Sequence, residues 1–354
     1  MSTLFDKITS LENVYASYKR AMSGETKYTN DSLWFNRDET LNLLTLQKQL
    51  ENEEYEFDGY TKFYVYEPKE RLIYAPTFKD KIVQLALNDV LIEYYMPKFI
   101  FHSYACIPKK GTHKASETIH KFMRKAKWMY GDGAYTIKLD IKKFFYTINR
   151  KVLKKIIHNQ IKCDKTIRLL YKIIDSVDDI EELGLPLGNT LSQLFANIYL
   201  NEFDQYCKRV LKVKFYVRYA DDIVVFVKDK EEAKTKLSLM LSFLHNNLKL
   251  NENQNKTNIF PLKNGVNSIG FKTFTTHKKL RHDSKVRMKR KLKKLIKLEN
   301  VGRIEKEKIE TIMNSWLGHA KHCNSYNFIK SLEVNKKIKY NGIKLKYETR
   351  WNEC

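Results

Sequence analysis

Three acidic residues carry the strongest chemical signal in this chain: Asp140, which ends the apolar run IKLD, and the adjacent pair Asp221-Asp222 inside RYADDIVVF. Carboxylates set close together in apolar surroundings raise one another's pKa unless a cation neutralises them. A divalent metal is such a cation. Magnesium takes a few carboxylate oxygens and leaves positions for water and phosphate, so the pattern points to phosphoryl transfer. A lone Asp-Asp pair is also an ordinary turn former. Asp140 changes the balance, because two strands that each end in a carboxylate can share one sheet and clamp two ions. Asp140 and Asp221 are the first choice as ligands; Asp222 is second, since consecutive residues of an extended chain point to opposite faces.

The elements that must position these acids follow from period and turn chemistry. Residues 4–52 read as helical, with a polar break over 27–32. Residues 60–75 give two β-rich runs, KFYVY and RLIYA, around Glu67-Pro68-Lys69-Glu70, the pattern of a hairpin with Lys69 and Arg71 at its tip. A helix over 81–95 precedes the basic loop SYACIPKKGTHKA. Tyr135 to Asp140 alternates as a strand, 150–176 reads as helical, and 189–207 as a long amphipathic helix. FYVRY and IVVFV then form a hairpin whose tip is Ala220, Asp221 and Asp222. A helix over 231–248 and a short strand pair in SIGFKTF follow. The tail after Leu332 reads as short and β-like.

Composition narrows the class. In 354 residues, 65 lysines and arginines face 41 acids, a net charge of +24, which calls for a polyanionic partner. With 43% hydrophobic residues the charge decorates a core, and disorder is excluded as the main state. From Lys278 to Lys297 there are eleven basic residues and one acid, while Met288, Leu292, Leu295 and Ile296 keep an apolar stripe. That is a packed helix with a cationic outer face. Five scattered cysteines without a CxxC spacing fit reduced thiols in a cytosol. No stretch of eighteen apolar residues occurs and the first residues carry charges, so neither export nor a membrane span is expected. His319, His322 and Cys323 lack a fourth nearby zinc ligand and read as packing or phosphate-facing residues.

The ordered segments KLDIKKFF, GLPLGNTLSQLFANIYL, RYADDIVVF, Lys256-Thr257 and SIGFKTF resemble the palm motifs of reverse transcriptases. KERLIYAPTFKDKIVQLAL and SYACIPKKGTHKA resemble the fingers motifs of the bacterial branch, and SWLGHAKHCNSY resembles its thumb. Within the family, KITSLENVYASYKRA, VYEPKERLIYAPTFKDK and SWLGHA are similar to the reverse transcriptases of diversity-generating retroelements, which are related to group II intron-like and antiphage-defence enzymes.

The resemblance implies an α+β right-hand polymerase, with fingers, a palm holding an antiparallel sheet, and a helical thumb. Its expected divisions are a helical extension over 1–59, fingers over 60–134, palm over 135–275 with a helical insertion near 150–182, thumb over 276–332 and a tail over 333–354. Too few residues follow the thumb for a ribonuclease H or integrase domain. The implied reaction is templated addition of dNTPs to a DNA or RNA primer, copying RNA into DNA with two Mg2+ ions, Mn2+ being the alternative. Asp140, Asp221 and Asp222 are the implied catalytic residues, with Ile141 beside them in the metal site. Lys69, Arg71, Phe145, Leu187, Gly188, Gln193 and Lys256 are the implied substrate contacts. Lys285, Arg287, Lys289, Arg290, Lys293 and Lys294 would bind nucleic acid.

Two departures sharpen these expectations. The family's Gly-x-Pro-Gln-Gly segment reads Gly184-Leu185-Pro186-Leu187-Gly188 here, and its Ser-Pro reads Ser192-Gln193. Leucine offers no hydrogen bond where the family glutamine meets the incoming nucleotide, so low fidelity is expected; the resemblance implies that the errors concentrate opposite template adenines. Phe145 falls where the family keeps a ring against the sugar, and a ring there excludes a 2′-hydroxyl. A cytoplasmic enzyme with a small basic accessory protein is the retroelement expectation. Antiphage defence with a noncoding RNA, or a noncatalytic RNA-binding scaffold, are the other two readings.

Overall fold

The computed structural model describes residues 2–66, 69–177 and 182–333. The hairpin residues Glu67 and Pro68 and the tail beyond Glu333 lie outside the described residues. Helices come first: α1 (Leu4–Thr9), α2 (Leu11–Met22), α3 (Asn30–Arg37) and α4 (Glu39–Glu51). Thr3 and Asp6 start α1 as a reciprocal capping box. The polar break ends earlier than its composition suggests, because Asn30 to Ser32 already form the first turn of α3.

Strands β1 (Tyr60–Val65) and β2 (Arg71–Pro76) pair antiparallel with Val65 opposite Arg71. Helix α5 (Phe78–Tyr95) starts where the Thr77 hydroxyl accepts from the Asp80 N–H. Helix α6 (Thr112–Tyr130) takes up Thr112 to Ala115, the end of the stretch read as a loop. Then come β3 (Tyr135–Asp140), α7 (Phe144–Thr147), α8 (Arg150–Gln160) and α9 (Asp164–Ile174). The single helix expected over 150–176 is thus two, broken at Ile161, Lys162 and Cys163. Each buries its own stripe, Leu153, Ile156 and Ile157 in α8 and Ile167, Leu170, Ile173 and Ile174 in α9.

Helix α10 (Thr190–Gln205) leads to the hairpin β4 (Phe215–Tyr219) and β5 (Asp222–Val227). Helix α11 (Lys230–Leu248), β6 (Asn258–Pro261), β7 (Val266–Ser268), β8 (Phe271–Thr273) and β9 (Lys278–Leu280) follow, then α12 (His282–Asn300), α13 (Lys306–Ala320) and α14 (Tyr326–Glu333). Among the described residues three sheets result: β1-β2, β4-β5-β3-β6 and β7-β8-β9. The pair expected in SIGFKTF is therefore a three-stranded antiparallel sheet, and Lys278 to Leu280 are its last strand rather than the start of the basic helix.

The chain folds as two compact units. The first comprises Met1–Gly111, Leu139–Ile223 and Lys234–Asn258; the second comprises Thr112–Lys138, Val224–Ala233 and Ile259–Cys354. In the first, α5 packs on α2 and α10. Helix α10 is buried almost all round, polar Asn197, Asn201 and Asp204 included, and is therefore not the one-sided amphipathic helix expected over 189–207. In the second, Met288, Leu292 and Leu295 of α12 pack with Ile309 and Met313 of α13, and Phe271 and Leu280 pack with Leu317 and Ile329.

One buried ion pair organises the first unit. Arg218, on β4, is 1% exposed and Asp204, on α10, is wholly buried. Arg218 Nε and Nη2 donate to the Asp204 carboxylate at 2.7–2.9 Å, and Nη1 donates to Asn197 Oδ1 at 3.1 Å. Tyr216 Oη donates to Asp204 Oδ1 at 2.6 Å. The backbone joins in: Arg218 N–H donates to the His102 carbonyl, and Tyr104 N–H donates to the Arg218 carbonyl. Burial alone would strip charge from Arg218, but the Asp204 carboxylate against it raises its pKa above the ordinary value. Removing one member leaves the other charge buried and unpaired, which costs about 3–5 kcal/mol. Urea unfolding of Asp204→Asn should show a loss of about that size. A loss below about 1 kcal/mol, the range of exposed pairs, would show that the pair does not hold this unit.

Candidate active site

The acidic turn is built by the hairpin that Arg218 anchors. Strands β4 and β5 are joined by only two residues, Ala220 and Asp221, and Asp222 opens β5 rather than sharing the tip. Turns this short need a positive φ to match the strand twist, and Ala220 supplies it with φ 53°. A side-chain-bearing residue in that region costs about 1–2 kcal/mol. Arg218 Nη1 offsets part of this by donating to the Ala220 carbonyl at 3.2 Å. The guanidinium that pairs with Asp204 therefore also fixes the turn presenting Asp221.

Strand β5 lies beside β3, whose last residue is Asp140. Asp221 responds to its surroundings: burial raises its pKa, a backbone hydrogen bond lowers it, and the nearby Asp140 and Asp222 carboxylates raise it further, against a lowering by Lys256. Lys256 Nζ stands 3.1 and 3.0 Å from the two Asp140 oxygens. Asp140 is fixed from its backbone as well. Its carbonyl accepts from Asn253 N–H at 2.7 Å and its N–H donates to Thr257 Oγ1 at 3.3 Å. Ile141 pairs with Glu252 as an antiparallel bridge. Residues 251–257 thus hold the end of β3 and deliver Lys256 to it.

This donor set fits a divalent cation in chemistry: hard carboxylate oxygens, like charges crowded together, and one ammonium as the counter-charge. The acids do not form a ready-made cage. Among the described residues, no group of three His, Cys, Asp or Glu side chains is gathered so as to hold a metal ion. Magnesium sites completed by substrate phosphates have this open character.

Three further positions are brought together by backbone hydrogen bonds. After β3 the chain turns through Lys143, at φ 48°, into the short helix α7. There Phe144 is buried and Phe145 half-buried, with ring centroids 5.6 Å apart. The Phe145 carbonyl accepts from Leu185 N–H at 2.8 Å, and the Leu187 carbonyl accepts from Tyr74 N–H at 2.7 Å. Phe145, Leu187 and the β1-β2 hairpin are therefore tied through one strap of chain. Gly188 has φ +111°, and a Cβ there would stand 2.6 Å from Ile73 Cγ2. Glycine is needed both for that conformation and for the close approach to β2. Asn189 then caps α10 by accepting from Ser192 N–H at 2.6 Å.

Lys69 and Arg71 are exposed at the hairpin and make no hydrogen bond or ion pair among the described residues. Gln193 is exposed on the first turn of α10 and lines a cleft with Asn88, Cys106 and Lys110. Lys285, Arg287, Lys289, Arg290, Lys293 and Lys294 all lie on α12, in the second unit. Lys285 and Lys289 lean over the Phe328 ring at 5.6 and 5.5 Å. The histidines that could suggest zinc are packing residues: His319 stacks on Phe271 and His322 on His113, at 4.5 and 3.7 Å.

Asp204 and Asn197 were missed by sequence reasoning, although a signal exists. Asn197, Asn201 and Asp204 fall at i, i+4 and i+7 on a helix that is otherwise apolar, so they share one face. A lone arginine inside the apolar strand FYVRY is the partner such a buried polar stripe requires.

Comparisons with known proteins identify the family. The family model described as "Reverse transcriptase (RNA-dependent DNA polymerase)" matches residues 67–345. The group II intron-encoded protein LtrA of Lactococcus lactis subsp. cremoris is 26% identical, over 57% of this chain and 44% of that protein. Protein YkfC of Escherichia coli strain K12 is 28% identical, over 58% of this chain and 65% of that protein. This chain thus spans less than two thirds of the length of either relative. Among solved structures, telomerase from Candida albicans in complex with a TWJ fragment of telomeric RNA gives a TM-score of 0.48 at 12% identity, covering 70% of this chain and 52% of that one. With its match covering most of the sequence, the chain belongs to the reverse transcriptase (RNA-dependent DNA polymerase) family.

Proposed function

We propose that the chain extends a primer with deoxynucleotides on an RNA template, using Asp140, Asp221 and Asp222 as its catalytic acids. The observation that carries this reading is the electrostatic coupling of Asp221 to Asp140 and Asp222, with Lys256 on Asp140. Asp140 and Asp221, with Asp222 and Ile141 beside them, would hold two divalent ions, and magnesium suits the oxygen donors. Bound there, such ions supply charge that activates the primer hydroxyl and stabilises the departing pyrophosphate. Arg218 and Asp204 keep the Asp221 turn in place, and the 251–257 segment keeps Asp140 there. Lys256 is placed to neutralise charge on the leaving group, and the unpaired Lys69 and Arg71 suit a triphosphate.

The half-buried Phe145 ring supports selection of deoxynucleotides by exclusion of the 2′-hydroxyl. Leu187, fixed through its carbonyl to Tyr74, supports low fidelity, because its side chain cannot test base-pair geometry by a hydrogen bond. Together with the sequence resemblance, this supports copying of a retroelement template RNA into mutagenised cDNA. The partners of that reading are the RNA template, a DNA or RNA primer, dNTPs and a small basic accessory protein, in the cytoplasm. No helix among the described residues is long and apolar enough to cross a membrane. A near-duplicate repeat beside the gene, differing at adenines, is the expected genomic companion; its absence would favour the defence role, which uses the same chemistry.

Three measurements test these assignments. Primer extension on an RNA template should fall by at least about 10²-fold in Asp221→Asn. Its unfolding free energy should hold or rise, since a carboxylate repelled by its neighbours is gone. Retained activity would remove Asp221 from the chemistry. Phe145→Ala should raise ribonucleotide incorporation about tenfold or more, on the scale of steric selection; unchanged sugar selectivity would reject the gate. Sequencing of cDNA made by Leu187→Gln should show errors opposite adenine reduced about tenfold, the worth of one good hydrogen bond, and an unchanged spectrum would clear Leu187.

A further inference from the structure

Residues 251–258 read Asn-Glu-Asn-Gln-Asn-Lys-Thr-Asn, eight polar side chains in succession. A stretch with no apolar residue gains nothing from a core, so hydrogen bonds alone must order it. Its first part is tied through the backbone. The Asn251 carbonyl accepts from Lys142 N–H at 2.9 Å, and Glu252 bridges to Ile141. Beyond Asn253 the chain turns back on itself, the Asn253 carbonyl accepting from both Lys256 and Thr257 N–H at 2.9 Å. The side chains of Asn251, Asn253, Gln254 and Asn255 make no hydrogen bond among the described residues. Glu252 differs: its Oε2 accepts from His245 Nε2 at 2.8 Å.

His245 stands on a fixed element. It lies in the last turn of α11, between Leu244 and Leu248, which are both buried. Tyr199 of α10 donates its hydroxyl to the Leu248 carbonyl at 2.5 Å. Lys249, at φ 53°, reverses the chain, and Leu250 N–H donates to the Leu244 carbonyl at 3.0 Å. The Glu252 side chain is 16% exposed against 41% for His245, so the contact sits at the edge of the core. An ionised carboxylate only accepts, which puts a hydrogen on Nε2 whether the ring is neutral or charged.

We infer that His245 is a positioning residue for primer extension: through Glu252 it fastens the polar segment to α11 and so keeps Lys256 on Asp140. It touches none of the three acids itself. The bridge at Ile141 keeps residues 251–253 beside the end of β3 with or without it. What His245 adds is a lateral restraint on the turn that follows, whose Lys256 side chain is 50% exposed. A small misplacement of a reacting group, caused from a distance, is enough to slow catalysis. Helix α10 then steadies both carboxylate strands, the Asp221 turn through Asp204 and the Asp140 end through Tyr199, α11 and His245. The assignment rests on the polymerase reading above, and the test separates the two.

The experiment measures kcat and the KM for dNTP in primer extension on an RNA template, using the full chain. His245→Ala should lower kcat by about fivefold, the upper range of a partly exposed pair. KM should stay within about twofold, because Lys256 serves the departing pyrophosphate and is engaged only in the transition state. His245→Gln keeps an N–H donor at the reach of Nε2 and should restore kcat, whereas His245→Asn, whose amide falls short of Glu252, should behave as alanine does. This pair of amides decides the matter even where the alanine variant fails to fold. Asn246→Ala, the neighbouring exposed position, should leave kcat unchanged. In a Lys256→Ala background the further loss from His245→Ala should vanish, since both act along one path. Unchanged kcat in His245→Asn, equal rates for the two amides, or a full loss retained without Lys256 overturns the assignment and leaves the polymerase reading intact. A wild-type chain that extends no primer overturns both.

Discussion

The Arg218–Asp204 pair is the constraint on which the rest of the first unit depends. A guanidinium and a carboxylate taken out of water lose several kcal/mol of solvation each, and only mutual contact with full hydrogen bonding makes their burial tolerable. Here that bonding is complete: two forked contacts between them, a tyrosine hydroxyl on the carboxylate, an asparagine and a turn carbonyl on the guanidinium. Because the contact geometry is narrow, it admits one placement of β4 on α10. Arg218 stands one residue from the strand end that leads into the acidic turn, so this ion pair positions the turn that carries Asp221.

The acids themselves are held in tension. Burial and two neighbouring carboxylates push the Asp221 pKa up, and a single ammonium at Asp140 works against them. A site poised this way has unspent affinity for positive charge. The same logic accounts for the strap through residues 182–189, where Gly188 lets the backbone close on β2 and so sets Leu187 and Phe145 at a fixed spacing.

Much of this was legible in the sequence, and the reasons are local. Strand ends in carboxylates, a two-run hairpin and glycine beside proline are patterns that periodicity and turn chemistry reveal directly. Asp140, the Asp221 turn and the helix beginning at Asn189 all came from such patterns. What was not legible depended on pairing at a distance. Asp204 shows in the sequence only as one member of a polar stripe on α10, and its partner is fixed only when β4 is laid against it. The break between α8 and α9 carries no glycine or proline, so only the separate burial of two stripes reveals it. Lys278 to Leu280 joined the basic run by charge, yet their backbone completes a sheet with β8, and charge says nothing about backbone pairing.

The interleaving of the two units has a consequence for biosynthesis. Each is assembled from three stretches of chain, the first closing only with Lys234–Asn258. A nascent chain emerging from the ribosome therefore cannot finish its first unit until residue 258 is out. By then Thr112–Lys138 and Val224–Ala233 are already exposed and waiting for the last stretch, from Ile259 onward. The first unit can therefore close only late, after residue 258, with the second still to follow, and premature termination anywhere before that point leaves neither half complete.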